Sequence, residues 1–474
     1  MRGAPTLLAS DPQPAMNPQH YHDALQSELG GHKWILIGGP LAGLVSLRNE
    51  LERYGVQRPF VLGSGVGTGP LPSAEQAECF ALDVHGENIV DGMRVYESLL
   101  GMLPEPARAA LDAWDPHGEA RVISRLQLGS VPEVAGRPRF GARPDEWIAL
   151  EDKCAVDAFF DAAGVRRAES RIVGTKLLEQ WGAHQELDRG LGSVWAGDSR
   201  EGANGGAVYV RWIGNKSEAK RAHDWFEPRC HRVRVSPFLA GVPCSIHGFV
   251  AAGEVAVFRP VEMGTLRKAQ TRELVYAGFG TSWDPDPEGA EAMRSAARAA
   301  GRLLRDAYDF RGSYTVDGIY TAEGFQATEL NPRVGGALSL LEEASGVPLI
   351  LLSNAAVERV EIDWRLDELE QHVVRAANEK RCGTTSGSLM GEHEARSIEL
   401  VLDGAQLREV REGEEPMGTL ALGPGIQGGF LRFGARPGAP TPGVRWSEVG
   451  CKVLDYCRES LGISMPSIES MPMP

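Results

Sequence analysis

The chain has 474 residues, 42% hydrophobic and 24% charged, an ordinary globular composition with length for about two or three domains. A formal net charge of −15 disfavours nonspecific nucleic-acid binding, and no stretch approaches the roughly 18 apolar residues that span a bilayer, so a cytoplasmic protein without nucleic-acid or membrane partners is predicted. Seven cysteines without C-x-x-C spacing argue against a disulfide framework or structural zinc and predict reduced thiols.

Residues 1–17 are Pro-rich and unpatterned, and a mobile tail is expected up to residue 31. From His32 the runs "KWILIGGP", "PFVLGSG", "CFALDV" and "ARVISRL" alternate with helical patterns such as 92–103, which predicts a small α/β domain over 32–147. "GGPLAG" and "GSGVGTG" invite a dinucleotide-binding reading, but neither is a G-x-G-x-x-G that enters a helix with an acid about 20 positions on, so that reading is rejected. "VPEVAGRPRFGARPDEW", 131–147, reads as a Pro/Gly-rich connector to a central region over 148–363.

"EDKCAVDAFFDAAGV", 151–165, predicts a short helix, with Lys153 at its head. Two β-like runs, 193–196 and 207–213, flank a loop containing Gly202, Asn204, Gly205 and Gly206; such a loop is either a plain glycine hairpin or a set of N–H groups that can approach phosphate oxygens closely. Strands and hairpins follow over 231–260. "FRPVEMGTLRKAQTRELVYAGFG" gathers Arg259, Arg267 and Lys268 in an acidic chain, either as a solvated loop or as an anion-facing group, with Arg259 favoured because it sits beside Pro260 at a strand end. A helix over 285–308 carries Met293, Ala296, Ala297, Ala300, Leu303, Leu304 and Ala307 on one stripe and reads as core packing.

"TVDGIYTAEGFQATELNPR", 315–333, alternates like two strands. One presents Thr315, Asp317 and Ile319 on a single side. The other places Phe325, Ala327, Glu329 and Asn331 together until Pro332 ends it. A three-residue loop of Ala322, Glu323 and Gly324, with Gly324 left-handed, sets Thr321 against Phe325 and Asp317 against Glu329, at roughly 4.5–5.5 Å between Cβ atoms. Facing acids destabilise a sheet, so either this face is open to solvent or a hard cation such as Mg²⁺ sits between Asp317, Glu329 and Asn331. After 363, strands near 397–402 and 429–433 and a helix near 447–461 follow a polar stretch at 378–387, predicting a C-terminal domain over 364–474.

The acidic strand, the E-x-N-P-R end at Glu329 to Arg333 and the Gly335-Gly336 turn resemble the metal-binding hairpin of the ATP-grasp superfamily. The resemblance implies an ATP-grasp fold of mixed α/β and α+β type, with an α/β domain before the ATP-grasp region and a small α+β domain after it. It implies ATP and two Mg²⁺ ions held by Asp317, Glu329 and Asn331. Arg333, Arg259 and Arg267 would face the phosphates or the reacting carboxylate, and Lys153, Gly202, Asn204, Gly205 and Gly206 the phosphates. Val235, Ser236, Phe238 and Leu239 would form the adenine hinge. Two departures stand out: Ala196 where a Lys commonly closes the strand before the loop, and Pro243 where many members carry a ribose-binding Glu. Within the superfamily the chain resembles bacterial peptide ligases of secondary metabolism, which implies a small-molecule acyl donor, a peptide or amino-acid amine as acceptor and an acyl-phosphate route, and leaves a homodimer open. A ligase or carboxylase with another acceptor, or a non-catalytic nucleotide-binding protein, are the competing readings.

Overall fold

The computed structural model describes residues 16–473 apart from 127, 128, 130, 201–204, 206 and 405. In the first domain Trp34–Ile37 and Phe60–Gly63 are buried at every position, the signature of strands covered on both faces. Strands Glu78–Ala81, Phe60–Gly63, Trp34–Ile37, Arg121–Ser124 and Arg137–Phe140 lie side by side in that order and in parallel, and Glu133–Val134 closes the edge antiparallel. The stretch expected as a connector is thus partly sheet, because Val134 and Phe140 have core to fill. The expected tail is shortened too: Gln19–Leu29 is a helix that buries Tyr21, Leu25 and Leu29.

The dinucleotide reading fails on geometry as it did on sequence. The first N–H groups of helix Leu41–Arg53, which would cradle a pyrophosphate, are used inside the protein: Leu41 donates to the Gly65 carbonyl and Ala42 to that of Val66, both at 3.0 Å. Gly67, at φ +80°, lies so close to Pro40 that a Cβ would sit 2.5 Å from the proline ring. The two glycine-rich segments pack on each other.

A second, four-stranded sheet runs Arg171–Gly174, Arg232–Pro237, Ser193–Gly197, Val210–Ile213 and carries helices Leu177–Leu187 and Lys216–Phe226. This lobe, here called the lid, carries the segment in which the glycine loop is expected, between Ser193–Gly197 and Val210–Ile213. The remaining strands form one eleven-stranded sheet. From the hairpin Gly312–Thr321 and Gly324–Asn331 it passes through Val242–Ala251, Glu254–Lys268 and Leu274–Gly280 to Gly383–Met390, Gly428–Ala435, Gly418–Gly425 and Arg396–Asp403. The expected C-terminal domain therefore has no sheet of its own; it extends the central one, and Gly383–Met390 begins inside the stretch 378–387 that reads as polar and runs past its end. Helix Pro287–Tyr308 covers one face and buries Met293, Ala297, Ala300 and Leu304 of its predicted stripe; Ala296 and Leu303 are half-buried at its edge, and Ala307, near the helix end, is exposed. Its first turn is capped by the Asp286 side chain, which accepts from Gly289 N–H at 2.8 Å.

The tip of the hairpin Gly418–Gly425 and Gly428–Ala435 reaches the first domain. Thr68 Oγ1 donates to the Pro424 carbonyl at 2.9 Å, and Ile426 packs so tightly on Gly92 that a Cβ there would lie 2.8 Å from Ile426 Cγ2. All seven cysteines are free thiols, and among the described residues no single helix is long and apolar enough to cross a membrane.

Candidate active site

The hairpin brings Asp317 opposite Glu329, though not by the predicted route. Thr321 pairs with Gly324 and Tyr320 with Phe325, so the loop has two residues, Ala322 and Glu323, with Gly324 at φ +97° as the first residue of the returning strand. That register alone would put Asp317 opposite Thr328. A β-bulge between Asp317 and Gly318 absorbs Thr328 as an extra residue and restores the pairing, and Thr328 Oγ1 donates back to the Asp317 carbonyl at 3.2 Å. The bulge also corrects the predicted faces. Phe325, Ala327 and Leu330 point together into the core, whereas Glu329 and Asn331 are released to the Asp317 side.

Around the acids the charges are matched tightly but incompletely. Lys153, only 4% exposed, sits with Nζ 2.7 Å from Glu329 Oε2. Asn331 Nδ2 donates to Asp317 Oδ2 at 2.9 Å, and Arg333 Nη2 donates to Asn331 Oδ1 at 3.1 Å. Asp317 Oδ1 is buried without a well-formed hydrogen bond; the nearest donor is the hydroxyl of Ser245, paired with Asp317 on the neighbouring strand, whose influence on the carboxyl is smaller than that of burial or Glu329. Burial first, and Glu329 second, push the Asp317 carboxyl up to about 7. Two carboxylates and a carboxamide, with one acceptor oxygen poorly satisfied, fit a hard divalent cation of the Mg²⁺ type, which takes one or two protein carboxylates together with phosphate oxygens. Among the described residues no set of three or more His, Cys, Asp or Glu is gathered to cage a metal by itself.

Arg333 is held from behind. Its Nε donates to Glu151 Oε2 at 3.2 Å, and Arg143 Nη1 donates to the other oxygen of Glu151 at 2.5 Å. Burial alone would push the Glu151 carboxyl up, but Arg333 and Arg143 beside it hold it below the usual range. Asp152, the next residue, takes Arg232 Nη2 of the lid at 2.6 Å. The three residues Glu151, Asp152 and Lys153 thus reach the arginine, the lid and the hairpin in turn. Sequence reasoning singled out Lys153 and missed Glu151; the signal was an acid at the helix head with Arg143 eight residues before it.

Other expected site residues lie elsewhere. Arg259 is 4% exposed and donates to Asn378 Oδ1 (2.7 Å), the Trp283 carbonyl (2.8 Å) and Asp284 Oδ1 (2.9 Å). It ties strand to helix with its donors engaged, so its expected role toward phosphate is corrected to a structural one. Arg267 is paired with Glu469 at 2.9 Å, in the strand Ile468–Ser470 that returns alongside it. In the hinge, Val235 pairs with strands on both sides and its side chain belongs to the lid core, so it does not offer a free backbone edge as expected. Ser236 pairs on one side only, Phe238 N–H is taken by the Gly192 carbonyl at 3.0 Å, and Leu239 follows, half-buried. Phe238 stacks on Trp212, rings 3.9 Å apart and 13° from parallel. Gly202, Asn204 and Gly206 lie outside the described residues; Gly205 has open space around its Cα. The lid's own cations are occupied: Arg211 lies 4.2 Å over the Trp225 ring, and Arg200 Nε donates to the Cys230 carbonyl at 2.9 Å.

Two further residues face the site. Tyr276, inside the segment noted for its cations, has its phenol pushed well above the usual range by burial and then by Asp317. Arg94, on the first-domain helix Ile89–Gly101, reaches both ends of the glycine loop: its Nη2 donates to Ser199 Oγ at 2.8 Å and its Nη1 to Tyr209 Oη at 3.2 Å.

No protein-family model and no curated protein matches the sequence. Solved structures do match in shape. The biotin carboxylase domain of the 2-oxoglutarate carboxylase of Hydrogenobacter thermophilus, solved with MgADP, ADP and bicarbonate, covers 92% of this chain and 91% of its own at a TM-score of 0.54 and 13% identity. Biotin carboxylase from Campylobacter jejuni in a β-γ-ATP complex gives 0.54 at 13% identity over 85% of this chain and 87% of its own. The carboxyaminoimidazole ribonucleotide synthase of Aspergillus clavatus complexed with ATP gives 0.50 at 13% identity over 89% and 97%. At this identity the likeness is one of fold: the chain has the ATP-grasp fold, preceded by an α/β domain and extended by a C-terminal α+β region.

Proposed function

We propose that the protein is an ATP-dependent carboxylate–amine ligase that forms an amide bond through an acyl phosphate. The observation that carries this reading is the Asp317 oxygen left without a well-formed hydrogen bond beside Glu329 and Asn331, with Lys153 and Arg333 converging on the same place. Likeness in fold to enzymes solved with MgADP or ATP supports it. So does the resemblance of residues 32–462 to the peptide ligase of pheganomycin biosynthesis, which points to a peptide amine as acceptor in secondary metabolism.

A carboxylate does not react with an amine at neutral pH because oxide would have to leave. Transfer of the γ-phosphoryl group of ATP to the carboxylate oxygen gives an acyl phosphate and ADP; the amine nitrogen then forms the C–N bond, phosphate departs with its electron pair, and the amine proton passes to solvent. Asp317, Glu329 and Asn331 would hold Mg²⁺, which when bound neutralises phosphate charge. Lys153 compensates Glu329 before nucleotide arrives and remains as a fixed cation beside the phosphates. Arg333, its orientation fixed by Glu151, presents its planar fork to the reacting carboxylate. The lid, tied down through Arg94, excludes water that would hydrolyse the acyl phosphate.

Incubating the protein with ATP, Mg²⁺, mixed amino acids and short peptides should release phosphate and ADP in step with amide product. AMP and pyrophosphate as main products would replace this reading with an adenylating one.

A further inference from the structure

Helix Ile89–Gly101 of the first domain is held from two sides, by the tip of the C-terminal hairpin and by the lid, and the ligase reading gives the first of these no part. In "LGPGIQGG" the pair Gly425 and Gly428 closes a two-residue turn, so Ile426 and Gln427 are the two side chains that the turn offers among glycines. Both are spent on the helix and the residues that lead into it. Gln427 Nε2 donates to the Glu87 carbonyl at 2.6 Å, and Ile426 lies against Gly92 with Cγ2 and Cδ1 2.8 and 2.9 Å from where a Cβ would stand. Thr68 Oγ1, bonded to the Pro424 carbonyl at 2.9 Å, holds the tip in place from beside them.

Two residues after Gly92, Arg94 holds the lid through Ser199 Oγ at 2.8 Å and Tyr209 Oη at 3.2 Å, with its guanidinium 5.4 Å over the Tyr209 ring. Tyr209 is packed in the lid core with Trp195 and Ile213, so a grip on its ring is a grip on the whole lobe. Short bonds join the two contacts. The Asn88 side chain caps the helix, accepting from Val90 and Asp91 N–H at 3.0 and 3.1 Å, and Asp91 Oδ1 lies 3.4 Å from Arg94 Nη1. The first domain's own core fixes the helix at Tyr96, whose Oη donates to the Leu62 carbonyl at 2.6 Å. The turn before Tyr96, with Glu87 leading into it and Gly92 within it, is the part on which the hairpin tip presses.

We infer that Ile426 and Gln427 are positioning residues for the nucleotide cleft: by holding Glu87 and Gly92 they set the helix turn from which Arg94 keeps the lid docked on the first domain. The inference rests on the ligase reading. It gives the C-terminal strands a part in the reaction through contacts alone, since a helix start that shifts by a fraction of an ångström moves Asp91 and Arg94 together and lengthens the bonds to Ser199 and Tyr209. A lid held less firmly admits water and binds nucleotide less well, while the acids of the metal hairpin are untouched.

The test uses the full chain and four variants, each made with and without Arg94→Ala: Ile426→Ala combined with Gln427→Ala, Ile426→Ala alone, Gly92→Ala, and Gly92→Ala combined with Ile426→Ala. Hydrogen exchange across Val210–Ile213 is read without ligand, then KM for ATP, kcat and ATP hydrolysed per amide. Removing both tip side chains should speed exchange in that strand and raise KM several-fold with kcat near native, and should add nothing once Arg94 is gone. Gly92→Ala drives a methyl into Ile426 and should act in the same direction. Trimming Ile426 makes room for that methyl, so the combined variant should recover most of the loss, which a general weakening of the fold would not allow. A lowered melting temperature with native lid exchange, KM and coupling leaves the tip a structural contact and overturns the inference; effects that add to those of Arg94→Ala overturn it as well. The exchange arm needs neither nucleotide nor turnover, so absent phosphate release would defeat the ligase reading while leaving the grip on the lid separately decided.

Discussion

Asp317 and Glu329 face each other across the hairpin; Glu50 and Glu342 approach each other between helices Leu41–Arg53 and Leu338–Ser345. Both pairs carry the same charge mismatch. Burial and the neighbouring acid push Glu50 up to about 8, much as they push Asp317 up to about 7. Their surroundings differ. Glu342 spends an oxygen on Ile350 N–H at 3.0 Å, and Arg125 and Arg53 are the nearby charges that offset the pair. At the hairpin a carboxamide, a lysine and an arginine converge, and one oxygen still has no well-formed bond. A pair of raised acids therefore does not mark a site; an acceptor left unsatisfied among fixed cations and a carboxamide does.

Glu329→Gln tests the hairpin side of this contrast and should have the largest effect. Turnover should fall by about 10³-fold, and stabilisation by Mg·ATP, which follows RT ln(1 + [L]/Kd), should nearly vanish. The sequence alone suggests that this substitution relieves repulsion. The structure changes that expectation, because Glu329 is also the partner of buried Lys153; Gln keeps an acceptor for the ammonium and leaves stability near native, whereas Glu329→Ala strands the charge and destabilises. Melting curves with and without Mg·ATP, beside turnover, decide it. Unchanged Mg·ATP stabilisation in Glu329→Gln would make the two acid pairs equivalent.

Glu151→Ala comes next. It leaves the guanidinium groups of Arg143 and Arg333 facing each other with no carboxylate between them, at a cost of at least about 3 kcal/mol in denaturant unfolding. Glu151→Gln keeps the shape but not the charge and should lower kcat more than it raises the KM for ATP. A KM effect alone would mean that Glu151 does not orient Arg333 for the reacting carboxylate.

The hairpin also shows what was legible in the sequence. Period-2 alternation, Pro332 and a turn glycine sufficed to place Asp317 opposite Glu329, and yet the loop was wrong by one residue and a bulge at Thr328 made up the difference. Bulges leave no compositional mark of their own, so two errors cancelled. The long helix was legible because its stripe faces one core. The partnership of Arg143, Glu151 and Arg333 was not, since it joins residues up to 190 positions apart through tertiary packing (Arg143 to Arg333). Arg259 misled for the opposite reason: a cation beside a strand end looks the same in sequence whether it faces a phosphate or, as here, Asp284 and the Trp283 carbonyl. "GSGVGTG" and "LGPGIQGG", both rich in the glycines of phosphate loops, turn out to be facing sides of one seam, where Thr68 meets Pro424.

A smaller effect is expected at the tie between first domain and lid. Among the described residues, Arg94→Ala removes two hydrogen bonds to hydroxyls, the 3.4 Å ion pair with Asp91 and the guanidinium lying 5.4 Å over the Tyr209 ring, together about 1–2 kcal/mol. The loss should fall on closure: a several-fold higher KM for ATP and more ATP hydrolysed per amide formed, with no change at the Glu50 pair. Native coupling of hydrolysis to amide formation in this variant would release Arg94 from any part in the site.

The smallest effect belongs to the acids that are not a site. Glu50 titrates near 8 in the folded protein against an ordinary 4.5, so between these values the folded chain holds a proton that the unfolded chain has released. Stability contributed by this group is therefore complete below about pH 4.5 and is lost as pH rises through 8. Glu50 is only partly buried, and solvent screening reduces the contribution to about 1 kcal/mol. Glu50→Gln fixes the neutral form: the variant should match the native protein at pH 5, exceed it slightly at pH 8.5, and keep native turnover. Mg²⁺ sharpens the distinction, since it should flatten the slope that Asp317 contributes and leave that of Glu50 untouched. Denaturant midpoints at pH 5, 7 and 8.5, with and without Mg²⁺, give the answer, and a native slope that survives in Glu50→Gln would show that the proton sits elsewhere.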